Sequence, residues 1–260
     1  MPPAAMPAYG AQHLGAVAGI ALLIAVLLLR ARRCPDPGVV QQWMRRGGWA
    51  LLLASILWTA WGFLPASWDV EQSLPLHYSD ALRVVTALAL IFRWGWAVAI
   101  SCFGGLTLNL QSILTPALEY VSHPVVEYLA YWVLHGAVLA APVIMIWGLG
   151  WRPTWRGYGL AVAAAIGWAV LALAGNAVTG ANYAYLSRAP ESASILDLLG
   201  GWPIYILWEV LLVAGVWAAM TWAWSPGAHR TGSAVLDPRG LVRISAAARP
   251  PRGPGVPARR

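Results

Sequence analysis

Three ionisable side chains lie within seven residues at the start of an apolar stretch. His77, Asp80 and Arg83 are spaced three residues apart, so on a helix each is rotated by about 60° from the last and the three share one face. Histidine beside a carboxylate transfers protons near neutral pH, and arginine binds anionic groups. A charge inside a bilayer is costly unless it pairs or meets water, so this face predicts a hydrated site.

Polar residues on later apolar segments fall at a similar depth. At 1.5 Å per residue, Arg83 lies roughly 12 Å below Pro75, Glu209 about 9 Å below Pro203 and His135 about 16 Å below Pro124. These positions are in the outer half of the bundle. We predict that the faces converge on one pocket open to the outer leaflet, with further polar contributions from Ser79, Asn109, Tyr131, Asn176 and Tyr205.

Two other readings of these residues stay open. A pair formed by Arg83 with Asp80 or Glu209 can simply lock helices together, and such a pair is weak evidence of net stability. His77, Asp80, His135 and Glu209 also resemble a mixed metal-ligand set, but no tight motif such as HExxH is present. We therefore expect no metal and no cofactor.

The composition is that of a membrane protein. The chain is 59% hydrophobic and 10% charged, with a mean hydropathy of +0.62, whereas soluble domains carry about 25% charged residues. All seventeen basic residues are arginine, which excludes a retinal Schiff base on lysine. Phosphate-cradling, dinucleotide-binding and nucleic-acid-binding motifs are absent despite a pI of about 9.9.

The apolar runs predict an all-α bundle of seven transmembrane helices over residues 1–224, followed by a basic disordered tail over residues 225–260. Fifteen arginines fall in loops and a tail that seven spans place on one side, so the N-terminus is predicted outside and the C-terminus in the cytoplasm. The predicted spans are Gly10–Leu29, Gly47–Ala66, Leu74–Phe92, Gly95–Pro116, Pro124–Leu149, Gly157–Thr179 and Trp202–Trp224.

Three of these helices begin with a proline followed by an acid: Pro75, Pro124 and Pro203. Proline suits the first helical turn, and each such start directs unpaired N–H groups and a positive dipole end outward. Together they predict an environment that tolerates a phosphate or carboxylate, although proline equally marks any helix start. Both His13 and His123 are expected at the surface.

Several stretches between residues 74 and 213 carry a family resemblance: "LPLHYSD", "LQSILTP", "YWVLHGAVLAAPV", "TGANYAYL" and "LLGGWPIYIL". In order, they resemble the signature stretches of the bacterial YwaF-like integral membrane family, which is related to eukaryotic transmembrane protein 164. The resemblance implies a multi-pass protein of the bacterial cytoplasmic membrane. The eukaryotic relative is regarded as a phospholipid acyltransferase with a Cys and His pair, and more distant relatives as hydrolases of fatty-acid esters.

Carried over by position, His77 and His135 look like the family's histidines, whereas Leu76 occupies the place of the eukaryotic cysteine. Without that thiol, the nucleophile is Ser79, water or neither. A helical wheel puts Ser79 about 200° from His77, so only a histidine of another span such as His135 could activate it.

We therefore expect a lipid-modifying enzyme, an acyltransferase or ester hydrolase. His135 acts as general base, and His77 is aided by Asp80. Arg83 holds an anionic headgroup, while Glu209 or Asn176 orients these groups. The alternatives are a non-enzymatic transporter or sensor for an anionic solute and a scaffold in which the charges only specify packing. The partner is a membrane lipid or anionic small molecule; the oligomeric state stays open.

Overall fold

The computed structural model describes residues 4–116, 118–188 and 200–224. This part of the chain forms an all-α membrane fold, as predicted, and the predicted basic tail lies outside it. A two-residue antiparallel pairing joins Ala4–Ala5 (β1) to Glu119–Tyr120 (β2). The α-helices are α1 (Ala11–Arg33), α2 (Pro37–Gly62), α3 (Tyr78–Phe92), α4 (Gly95–Leu106), α5 (Leu108–Leu114), α6 (Pro124–Val143), α7 (Trp155–Thr179) and α8 (Ile204–Ala223).

Thr107 breaks the fourth predicted span into α4 and α5. Its backbone leaves the helical region at φ −123° and ψ −78°. Its hydroxyl donates to the carbonyl of Phe103 at 2.6 Å and accepts from the indole N–H of Trp217 at 2.9 Å. With α4 and α5 taken as one segment, the described residues form seven helical segments, matching the predicted number.

Five segments are long and apolar enough to cross a membrane: Ala11–Arg33, Gly95–Leu114, Pro124–Gly148, Trp155–Thr179 and Ile204–Ala223. The fifth predicted span continues past Val143 as a π-helical turn over Ile144–Gly148. Of the other two segments, α3 is only 15 residues long and α2 carries Arg45 and Arg46. The multi-pass membrane fold is therefore clear, while the seven-pass count and the orientation stay predictions.

Helices α2 and α3 pack closely because their crossing contains a glycine. A Cβ atom added at Gly48 would lie 2.8 Å from side-chain atoms of Leu90 and Ile91 and 3.0 Å from the carbonyl oxygen of Ala87. Close backbone approach at small residues is the usual basis of helix packing in membranes. Helix α4 lies at the centre, with Ala97, Cys102 and Phe103 fully buried, and α7 and α8 lie at the periphery.

Two helix starts differ by more than two residues from the predicted boundaries. Helix α2 begins at Pro37, ten residues before the predicted start, because the carboxylate of Asp36 caps it by accepting from the N–H of Gly38 at 2.7 Å. Helix α3 begins at Tyr78, and Pro75 lies in the turn before it rather than in its first turn. Pro124 does occupy the first turn of α6, as predicted.

Candidate functional site

The loops preceding α3, α6 and α8 meet at one end of the bundle, which we call the outer end. Ser67 and Ser122 share a hydrogen bond of 2.9 Å between their hydroxyls. The hydroxyl of Tyr183 donates to the carbonyl of Val70, and Arg188 pairs with Glu71. Burial of Tyr183 and the nearby carboxylates raise the pKa of its hydroxyl, so it stays a neutral donor. These contacts hold the three loops together at the outer end of the bundle, next to the cavity described below.

A cavity of about 570 Å³ lies next to these loops, and eight of the ten predicted site residues line it. They come from α3, α5, α6 and α8, as the prediction of converging faces requires. The eight are His77, Ser79, Asp80, Arg83, Asn109, Tyr131, His135 and Glu209. The other two, Asn176 and Tyr205, are not part of the lining.

His77 is the N-cap residue of α3, and two hydrogen bonds fix its position. Its backbone N–H donates to the carboxylate of Asp80 at 3.0 Å, and its Nε2 lies 2.8 Å from the carbonyl oxygen of Glu71. A carbonyl only accepts, so Nε2 carries the hydrogen and Nδ1 keeps the lone pair of the neutral ring. The edge of the ring meets Tyr183 at 5.2 Å between centroids.

The predicted separation of Ser79 from His77 is wrong. It treated both residues as helical, but His77 precedes the helix with an extended backbone at φ −68° and ψ 145°. Both side chains consequently line the same cavity. Within the described part of the chain, the hydroxyl of Ser79 has no hydrogen bond, so it is available to a ligand.

Asp80 and Arg83 form an ion pair of 2.7 Å one turn into α3. Their side chains are 13% and 9% exposed, so the pair is largely removed from water. Arg83 also donates to the hydroxyl of Thr59 on α2 at 2.9 Å, while its buried Nε has no partner among the described residues. Arg83 thus fastens α3 to α2, and its residue lines the cavity while its Nε is buried.

Sequence reasoning did not identify Thr59. The available signal was a threonine on the helix preceding α3, at the outer end of an otherwise apolar segment. The sequence does not show where α2 and α3 cross, and it is this crossing that brings the hydroxyl of Thr59 to Arg83.

His135 has a fixed orientation in the first half of α6. Its Nδ1 lies 2.8 Å from the carbonyl oxygen of Tyr131, and the two rings are 4.2 Å apart. Since that carbonyl accepts, the hydrogen sits on Nδ1 and the lone pair of the neutral ring is on Nε2. Tyr131 is held in turn by its hydroxyl, which donates to Ser112 at 2.7 Å. Asn109 donates to the carbonyl of His135 at 3.0 Å.

Glu209 lines the cavity from α8, between apolar neighbours one turn away on either side, Ile206 and Val213. Within the described residues, its carboxylate has neither an ion pair nor a hydrogen bond to a side chain or backbone group. A half-buried carboxylate without such partners has a donor-binding position still open. It therefore adds a further polar contact to the cavity, from α8.

Asn176 and Tyr205 hold the loop that supports His77. The amide of Asn176 accepts from the backbone N–H of Tyr183 at 2.6 Å and donates to the carbonyl of Tyr183 at 3.1 Å. The hydroxyl of Tyr205 donates to the carbonyl of Tyr185. Neither side chain lines the cavity; both hold the loop whose Tyr183 contacts His77, and their predicted binding roles stay predictions.

Leu76 does not face the cavity. Its side chain packs with Ala172 and Tyr183, and a Cβ atom added at Gly175 would lie 2.5 Å from it. The indole of Trp168 donates to its carbonyl at 3.1 Å. The position matched to the eukaryotic cysteine is thus occupied by a packing residue.

One polar residue of the cavity was not identified from the sequence, and one histidine was misplaced. Glu127 lines the cavity and accepts backbone hydrogen bonds of 2.8–2.9 Å from Val121, Ser122 and His123, which satisfy its charge. His13, expected at the surface, is buried: its Nδ1 accepts from the N–H of Tyr9 at 2.9 Å, and its Nε2 donates to the carbonyl of Ile113 at 2.9 Å. His123 is exposed, as expected.

The cavity carries more negative than positive residues. Four carboxylates line it, on Asp80, Glu119, Glu127 and Glu209, against one guanidinium on Arg83. An anionic group would therefore have to bind at Arg83 itself. Among the described residues, no group of three or more His, Cys, Asp or Glu side chains is placed to hold a metal ion.

The model of the TMEM164 family matches residues 8–221, most of the chain. The chain belongs to the TMEM164 family. The match covers every helix that lines the cavity, so the cavity belongs to the family domain rather than to an added segment. No curated protein and no solved structure matches the chain. Membership of this membrane family agrees with the apolar helices, while the bacterial YwaF-like branch stays a prediction.

Proposed function

We propose that this protein is a membrane-embedded lipid-modifying enzyme, an acyltransferase or an ester hydrolase. The observation that carries the proposal is the shared cavity. Its outer part holds two histidines with defined lone pairs, an ion pair and a free hydroxyl, and its inner part is lined by apolar residues such as Val162, Val213 and Trp217. This division matches an amphiphile with a polar head and an acyl chain.

The reaction begins with His135 as general base. Nε2 of His135 takes a proton from the hydroxyl of Ser79 or from a water molecule, and the oxygen attacks the ester carbonyl. The ester C–O bond then breaks, and the leaving oxygen takes a proton from imidazolium. That imidazolium is His135, which returns the proton it took, while His77, whose backbone N–H donates to Asp80, orients the ester. With water the products are an acid and an alcohol; with a second alcohol the acyl group is transferred.

Arg83 binds the anionic part of the headgroup through its guanidinium, and Glu209 accepts from a donor group of the ligand. The sole guanidinium in a carboxylate-rich lining gives the headgroup one defined orientation. The cavity lies at the end of the bundle opposite the arginine-rich turn Arg30–Arg33. By the positive-inside tendency, we infer that the cavity faces the outer leaflet of a bacterial cytoplasmic membrane, with the N-terminus outside.

Turnover by the purified protein tests this function. Protein in phosphatidylcholine nanodiscs is mixed with phospholipid or fatty-acyl ester, and products are measured by mass spectrometry. We expect release or transfer of an acyl chain by the wild type and none by the His77→Ala, His135→Ala double variant. The matched control is His123→Ala, an exposed histidine outside the cavity, which should keep full turnover. Turnover by the wild type no greater than that of the double variant would refute the proposal.

Ser79 and water are separated by one further variant. If Ser79 is the nucleophile, Ser79→Ala abolishes turnover and the wild type accumulates an acyl ester on the peptide containing residue 79. If water is the nucleophile, Ser79→Ala retains turnover and no acylated peptide forms.

A non-enzymatic binder of an anionic solute or headgroup is the second candidate function. The buried Nε of Arg83, without a partner in the described part of the chain, favours it because that donor needs an acceptor even where no chemistry occurs. Saturable binding of a single-chain phosphate ester that is lost in Arg83→Met, with no product formed, would select this candidate.

A further inference from the structure

The cavity extends to the lateral surface of the bundle between α7 and α8. Each helix gives it one stripe of residues at helical spacing, over residues 162–173 on α7 and 206–217 on α8. Eleven residues correspond to about 16 Å of helix, roughly half the thickness of the hydrocarbon core. Both helices are long and apolar enough to span a membrane, so the stripes lie at the depth of lipid chains.

Two apolar clusters join α7 to α8, one at each end of these stripes. The outer cluster brings Ala169 and Ala172 of α7 together with Ile206 of α8. The inner cluster joins Ala161 and its neighbours on α7 to Trp217, which is fully buried. Helices α7 and α8 are therefore packed together near both ends of the stripes. A gap can lie between the two helices in the segment that separates the clusters.

Three residues beside or between these clusters line the cavity and are also exposed; Ile166 and Val210 lie between the clusters, and Val170 lies level with the outer one. Val170 and Ile166 on α7 are 62% and 54% exposed, and Val210 on α8 is 52% exposed. A side chain can line a cavity and also be exposed at the protein surface only where the cavity reaches that surface. We call this opening, bounded by Ile166, Val170 and Val210, the lateral window.

We propose that the lateral window admits the acyl chain of a bilayer lipid, so that the ligand enters sideways from the membrane core. The rim is entirely apolar, and the surface around it is the part of α7 and α8 that faces hydrocarbon, so an acyl chain is the group in contact with it. From the rim the cavity leads to Glu209, and beyond it to His135 and Arg83. The acyl chain thus lies in the lateral window, while the headgroup contacts the polar cavity residues His135 and Arg83 nearer the outer end.

The inference rests on the proposed function only in taking an amphiphile as the ligand. It adds the route of entry, and it does not need the ligand to react. A chain entering from the membrane passes no polar loop. The cavity also reaches the aqueous side at its outer end, where lining residues such as Gln72, Thr115 and Glu119 are exposed, so the lateral window is a separate route that can be blocked on its own.

The test plugs the window after folding. Val210→Cys is made in a Cys34→Ser background, where the remaining cysteine, Cys102, is fully buried. The purified variant is treated with a bulky apolar maleimide and returned to phosphatidylcholine nanodiscs with a photoreactive fatty acid. The matched control is Leu211→Cys, 53% exposed on the same helix but outside the cavity lining.

We expect the plug at position 210 to lower saturable photo-incorporation into the peptide containing His135 by roughly tenfold, the equivalent of about 1.4 kcal/mol of binding free energy. The control should stay within twofold, about 0.4 kcal/mol, of the unmodified protein. Because the label is added to folded protein, the loss cannot arise from misfolding. Equal incorporation in the two labelled variants would overturn the proposal, as would a plug that changed only the association of two copies of the chain.

The experiment distinguishes failure of the lateral-entry proposal from failure of the catalytic proposal. Incorporation that depends on the window without any turnover would support lateral entry and refute the catalytic proposal. Turnover that survives the plug would refute lateral entry and leave the catalytic proposal intact. Val170→Trp, compared with Leu171→Trp on the lipid-facing side of α7, repeats the comparison without chemical modification.

Discussion

Replacing Arg83 by methionine tests the ion pair at the base of the candidate site. The 2.7 Å contact with Asp80 is largely shielded from water, with the two side chains 9% and 13% exposed. Arg83→Met keeps much of the apolar stem but leaves the Asp80 carboxylate without its cation. Removing one partner of a buried pair costs about 3–5 kcal/mol. For a domain of this size, that lowers the melting temperature by roughly 10 °C.

The Asp80→Asn, Arg83→Met double variant separates structure from function. An asparagine oxygen still accepts from the N–H of His77, and neither charge remains, so most of the lost stability should return. The free energy of unfolding, followed by tryptophan fluorescence in detergent, should show a coupling of about 2 kcal/mol or more between the sites. A stable double variant that no longer binds a phosphate ester would assign Arg83 a binding role. Arg45→Met, at an exposed position, is the control. Arg83→Met within about 0.5 kcal/mol of wild type, with no coupling, would refute the reasoning.

Three further predictions follow from individual contacts. His135→Phe keeps a ring against Tyr131 but removes the lone pair at Nε2, so turnover should fall by about 100-fold or more with little change in melting temperature; retained turnover would exclude His135 as the base. Gly48→Ala places a Cβ atom 2.8 Å from Leu90 and Ile91 and should destabilise the protein by roughly 1–3 kcal/mol in the same unfolding assay, whereas Gly15→Ala meets no atom within 4 Å and should not; equal effects would contradict the close crossing of α2 and α3. In intact cells, His123→Cys in a Cys34→Ser background should react with an impermeant maleimide, and Cys34 in the wild type should react only after lysis; the reverse pattern would invert the orientation.

The sequence predicted the elements that depend on local pattern. Apolar runs of the right length located the helices. The spacing of His77, Asp80 and Arg83 indicated a polar cluster at the start of α3, but His77 precedes the helix and does not share its face by helical geometry. Convergence with His135 and Glu209 was also predictable, because an ionisable group inside a membrane must face protein or water. The break at Thr107 and the early start of α2 depend on single side-chain hydrogen bonds, and a hydropathy window averages over such details.

What the sequence could not supply was tertiary contact. Thr59 reaches Arg83 only through the crossing of α2 and α3. Asn176 was placed in the pocket because the turn after α7 that brings Tyr183 to its amide has no signal in the sequence. His13 was placed at the surface because its position near the chain start said nothing of the α5 carbonyl that it meets. The lateral window is similarly invisible in sequence, since exposed and cavity-lining valines on α7 look alike in an apolar run.

An experimental density map of the protein in lipid nanodiscs tests the central claim most directly. That claim is that the polar side chains of α3, α6 and α8 share one continuous, ligand-accessible cavity. The account predicts density for water or lipid in contact with Arg83, Glu209 and Nε2 of His135, within one continuous volume. A map in which these side chains point apart, or are sealed in separate dry contacts with no volume between them, would contradict it.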